Sequence, residues 1–86
     1  MNWEEIDGKL CTEIKCNDFK EALLLFNEIA KVAEKLNHHP DIRIHSYRFL
    51  SIEVFTHDTN SITEKDHELK KAIHLCWLKI QGLDPI

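Results

Sequence analysis

The chain has 86 residues, 43% of them apolar and 30% charged, a balance that fits one folded domain over residues 1–86 and excludes a disordered chain. A chain this size buries only roughly 60–65% of its unfolded surface, so pairing with copies of itself is a natural source of further stability. Eleven basic against fifteen acidic side chains leave a formal charge of −4, which gives no electrostatic footprint for gripping nucleic acid or an anionic membrane.

In chain order, a short strand around Trp3–Ile6 leads through a turn at Gly8 to a second strand. In that second strand Lys9-Leu10-Cys11-Thr12-Glu13-Ile14-Lys15 alternates with the period of a half-buried sheet. Trp3 reads as a core or interface anchor. Asp18, with Glu21 three residues on, is a capping-box start for a helix. Phe19, Ala22, Leu23, Phe26, Ile29 or Ala30, and Ala33 trace its apolar stripe, and Leu25, Val32 and Leu36 widen it. The helix is expected to stop near Asn37, ahead of Pro40. Ile42–His45 and Leu50–Thr56 alternate as two further strands, with Ser46-Tyr47-Arg48 near their junction and a polar turn at 58–61. Thr63 then caps a second helix with Asp66 at its third position, and Leu69, Ala72, Ile73, Cys76, Trp77 and Ile80 form its apolar face before Gly82. The order β-β-α-β-β-α predicts an α+β two-layer sandwich, a four-stranded antiparallel sheet with helices on one face. Sheet order is not readable from this pattern.

Cys11, Cys16 and Cys76 are odd in number and lack paired spacing, which points to reduced thiols rather than a disulfide framework. The first residues lack the pattern of a signal peptide, and no apolar run approaches the ~20 residues of a membrane span. A soluble, cytoplasmic protein is expected.

Histidine is the conspicuous residue type, at 38, 39, 45, 57, 67 and 74. Imidazole titrates near neutrality without perturbation and is the default general acid or base. His45, His67 and His74 read as strand or helix-surface residues. His38-His39-Pro40 differs: a helix end and a proline-stiffened corner hold two imidazoles together. The plain alternative is a charged helix cap. Glu34, four residues before His38, could orient that ring or form an ordinary helical pair. His57 ends a strand beside a loop, a common position for catalytic side chains, and Asp66 reads as a helix cap that supports a pocket near His57. Neither CxxC nor HExxH accompanies these histidines, so acid–base chemistry is favoured over a metal site.

Glu34, three residues, His38-His39-Pro40, six residues, Tyr47, nine residues, His57, eight residues, Asp66: this spacing resembles the pterin-4a-carbinolamine dehydratase family. Its members are also known as dimerisation cofactors of a homeodomain transcription factor. The likeness extends outward to Trp3-Glu4-Glu5-Ile6, Asp18-Phe19 and Ala33–Leu36. Ile42 stands where relatives often carry an aromatic residue.

The resemblance implies dehydration of 4a-hydroxytetrahydropterin to quinonoid dihydropterin, which recycles the tetrahydrobiopterin cofactor of aromatic amino acid hydroxylases. It implies a small-molecule pterin substrate, no cofactor and no metal, and a homodimer or homotetramer. It casts His38 and His57 as the acid–base pair and His39 as the residue that holds and polarises the pterin. Asn37, Phe55, Thr56, His57 and Asp58 would line the ligand, Tyr47 would shape the pocket wall, and Glu34, Pro40 and Asp66 would support it. Two other readings remain open here. One is a non-catalytic, oligomeric protein-binding module of the coactivator kind, which would have no reason to keep three pocket histidines. The other is a dehydratase of another pterin, as in molybdenum cofactor metabolism.

Overall fold

β1 (Glu4–Ile6) and β2 (Lys9–Lys15) form a hairpin closed by Asp7 and Gly8. Both loop residues have positive φ, 51° and 77°, the two-residue turn whose twist matches that of paired strands. The structure, a computed structural model, describes residues 1–82, so the Asp84-Pro85-Ile86 tail lies outside the described residues.

α1 (Phe19–Leu36) starts at Asp18, whose carboxylate accepts the Glu21 N–H at 2.8 Å. The return contact differs from the expected box. Glu21 accepts from the backbone N–H (2.9 Å) and side-chain amide (3.1 Å) of Asn17, one residue earlier. The helix ends at Asn37, left-handed at φ 52°. The Asn37 N–H donates to Glu34 O and the His38 N–H to Ala33 O, at 3.2 and 3.1 Å. That pair of bonds is a Schellman-type stop, which asparagine tolerates through its short polar side chain.

The buried face of α1 is Ala22, Leu25, Ile29 and Ala33. Phe19 and Leu23, expected in that stripe, are 53% and 43% exposed, and Ala30 is exposed as well. The apolar arc is wide enough for two overlapping stripes, and packing against the sheet and α2 selects the one through Leu25.

β3 (Asp41–His45) and β4 (Phe49–Val54) form a second hairpin across Ser46–Arg48, and α2 (Glu64–Ile80) follows. The sheet order is β1-β2-β4-β3, every neighbouring pair antiparallel. β2 and β3 both oppose β4, so they run parallel to each other and α1 is their crossover, a split β-α-β arrangement. Leu10 and Ile14 of β2 and Leu50, Ile52 and Val54 of β4 turn to the helices and meet Leu25 and Ile29 of α1 and Leu69, Ile73 and Cys76 of α2. Trp3 packs partly buried against this core. Their strand neighbours Glu13, Ser51 and Glu53 face away from it, so the two-layer α+β sandwich has helices on one face only. This topology returns α1 to the end of the sheet where β4 leaves and β3 begins.

Candidate active site

At that end of the sheet, Asn37, His38, His39, Thr56, His57, Asp58 and Lys65 line one cavity of about 260 Å³, near the lower end of the roughly 300–1,000 Å³ common for small-molecule sites. Three segments contribute: the corner after α1, the loop after β4 and the first turn of α2. The loop is pinned at its base, where Thr56 and Ser61 exchange backbone hydrogen bonds of 2.9 and 3.3 Å. His57 opens this loop and is exposed, with its ring centroid 4.3 Å from that of Phe55.

His38 and His39 diverge from the shared corner. The left-handed turn at Asn37 sends His38 inward, 9% exposed, where its Nε2 lies 2.5 Å from Asp66 Oδ1. The same turn swings His39 back over the helix end, so its Nε2 bonds to Glu34. Glu34 therefore orients His39, not His38, and Asp66 is the partner of His38. The His39–Glu34 pair is exposed on both sides, so it contributes little to stability and acts on ring orientation.

Asp66 is fully buried. Its Oδ2 accepts the Thr63 N–H and the Thr56 hydroxyl, both at 2.8 Å. The Thr63 N–H bond makes it the N3 carboxylate of a capping box. Burial raises the Asp66 pKa, but the His38, Thr63 and Thr56 bonds outweigh it and hold the carboxyl below its ordinary value. It therefore stands as a carboxylate facing only donors.

Phe55 does not line the cavity. Its ring sits under Lys9 Nζ at 4.8 Å and braces His57. Pro40 lines an adjoining hollow with Phe26, Ala30 and His39. Tyr47, expected in the pocket wall, is 60% exposed in the β3–β4 turn with φ 54°. The six residues between Pro40 and Tyr47 include the whole of β3. At about 3.3 Å per residue, that strand carries Tyr47 some 17 Å or more from the histidine corner.

Sequence reading missed Lys65, one residue before Asp66. A signal was available, because a lysine in the first turn of a helix opposes the helix dipole. Elsewhere His45 Nε2 contacts Glu13 Oε1 (2.6 Å) and Ser51 Oγ (3.0 Å), bracing three strands on the open sheet face. A larger hollow of about 450 Å³ lies between Trp3 and α2, but it holds one imidazole, His74, and no carboxylate. Volume alone does not locate the chemistry. Among the described residues, no three His, Cys, Asp or Glu side chains gather as a metal-holding group. No helix among them is long and apolar enough to cross a membrane.

Fold and cavity together define a small α+β protein with three imidazoles lining one cavity at the end of its sheet. Residues 1–75 match the family model described as pterin 4 alpha carbinolamine dehydratase. The chain is 37% identical over 67 residues to a Picosynechococcus protein, covering 78% of this chain and 72% of that one. It is 41% identical over 71 residues to a Prochlorococcus marinus protein, covering 83% and 73%. Both relatives are provisionally named pterin-4-alpha-carbinolamine dehydratase. Among solved structures, a transcriptional coactivator/pterin dehydratase from Brucella melitensis superposes with a TM-score of 0.79 at 28% identity, over 86% of this chain and 80% of that one. A pterin dehydratase-like protein identified as a RuBisCO assembly factor in the alpha-carboxysome superposes at 0.69 with 10% identity, over 87% and 86%, a likeness of fold alone. The chain belongs to the pterin-4a-carbinolamine dehydratase family.

Proposed function

We propose that the protein dehydrates a 4a-hydroxytetrahydropterin to the quinonoid dihydropterin and water, in the cytoplasm, as a step of tetrahydrobiopterin recycling. The observation that supports this most is the meeting of His38, His39 and His57 around one cavity, with His38 backed by a buried carboxylate. The reaction breaks the C4a–O bond and forms a carbon–nitrogen double bond as a ring N–H gives up its proton. One imidazole takes that proton, and another delivers one to the departing hydroxide. Groups that titrate near neutrality suit both transfers, each worth typically 10²–10⁴-fold. His38 and His57 form this pair across the pterin, and His39, steadied by Glu34, holds it. Asn37, Thr56 and Asp58 line the ligand, mainly through main-chain groups, and the Lys65 ammonium presents a donor for the pterin carbonyl edge.

The active species is a homodimer or homotetramer. Phe19, Leu23, Leu24 and Leu36 leave α1 with 40–53% exposure each, an apolar surface that a second copy would cover.

The test is the catalysed decay of freshly generated 4a-hydroxytetrahydropterin, followed by ultraviolet absorbance. His38→Ala and His57→Ala should each lower turnover at least about tenfold, with circular dichroism unchanged. Wild-type turnover in the double variant would overturn the assignment.

A further inference from the structure

A closed chain of hydrogen bonds lies behind His38. The Asp66 carboxylate accepts through Oδ2 from the Thr56 hydroxyl and the Thr63 N–H, both at 2.8 Å, while Oδ1 faces His38 Nε2 at 2.5 Å. The Thr56 and Thr63 hydroxyl oxygens are 2.6 Å apart, and Thr63 Oγ1 is 3.5 Å from Asp66 Oδ2. A hydroxyl has a single proton. Since that of Thr56 goes to Asp66, the short contact between the threonines requires Thr63 to donate to Thr56. With Asp66 ionised, Oδ1 can only accept, so the group facing it is an N–H.

The other ring nitrogen, Nδ1, has no hydrogen-bond partner among the described residues. No buried side-chain nitrogen or oxygen among them lacks a partner, so Nδ1 is the nitrogen that reaches accessible surface. The surface His38 lines is the cavity.

We infer that Thr63, acting through Thr56 and Asp66, is a positioning residue that holds His38 in its Nε2–H tautomer and leaves Nδ1 to exchange the substrate proton. The catalytic half of this inference rests on the dehydratase reading, whereas the tautomer does not. The ionisable groups that share the cavity with His38 are His39 and Asp58 on the two loops, His57 after β4 and Lys65 on α2. Asp66 of α2 faces it from behind.

Long-range proton–nitrogen correlation spectra of the intact protein read the tautomer directly, with His38 assigned by the signal lost in H38N. The expected spectrum shows a protonated Nε2 and an unprotonated Nδ1 in the neutral ring. T63V keeps the backbone cap but removes the hydroxyl. It should shift the tautomer ratio and the pH profile of turnover and lower kcat about fivefold, the worth of one ordinary hydrogen bond, with KM little changed. T63S should recover most of that loss. A wild-type Nδ1–H ring overturns the inference, as does T63V with an unaltered tautomer ratio and pH profile. If T63V fails to fold, T63A takes its place, and an unaltered tautomer ratio and pH profile in that variant overturn the inference in the same way. An Nε2–H ring whose tautomer ratio shifts in T63V, in a protein that leaves the carbinolamine untouched, would sink the dehydratase reading and keep the positioning role of Thr63.

Discussion

Asp66 ties the site to the fold. It caps α2 through the Thr63 N–H and grips His38 from the α1 corner with the same carboxylate. Asp66→Ala would strip the buried His38 and Thr56 donors and the half-buried Thr63 N–H of their acceptor. The expected destabilisation is about 3 kcal/mol, since each buried donor left without its acceptor costs about 1–3 kcal/mol, seen as a lower guanidinium midpoint. The pH dependence has a definite sign. The folded carboxyl lies below its ordinary value, so its contribution is complete above the unfolded aspartate range and is lost as pH falls through the folded value. Glu13 is lowered too, chiefly by its His45 and Ser51 bonds, and shares that direction. Asp66→Asn should flatten the acid limb of the stability curve, and a limb as steep as wild type would contradict this account.

The elements show why some of this was legible in the sequence and some was not. Local stereochemistry marked the chain reversals and helix ends: Gly8, Asp18, Asn37 and Thr63 all act where expected. Alternation identified the strands, although β4 ends at Val54 and not at Thr56. Sheet order and the choice between Phe19 and Leu25 depend on partners distant in the chain, which periodicity cannot weigh. The same limit applies to the site. The His38–Asp66 bond spans 28 residues, and only the left-handed Asn37 decides which histidine turns inward. Mutations on α1 separate the two faces. Leu25→Ala should cost about 2–5 kcal/mol of stability, as for a truncated core leucine. Leu23→Glu should leave the circular dichroism of the folded subunit unchanged while lowering the mass measured by sedimentation. Unchanged mass in L23E would show that this face of α1 does not join subunits.

At the scale of the molecule, the cavity sits across the root of the β3–β4 hairpin. Pro40 precedes one strand and the Phe55–Asp58 segment follows the other, so a local pairing sets the distance between His39 and His57. β4 is held between β2 and β3, but β3 is an outer strand with one paired side. Outer strands are the least protected parts of a sheet and open at lower free energy than the centre. Warming should therefore spread the imidazoles before the helices melt. Turnover is expected to fail several degrees below the loss of far-ultraviolet ellipticity, and amide exchange over 41–45 should be faster than over 50–54. The working temperature ceiling of this protein would thus be governed by the outer strand that leads out of the histidine corner, with the bulk of its packing still intact.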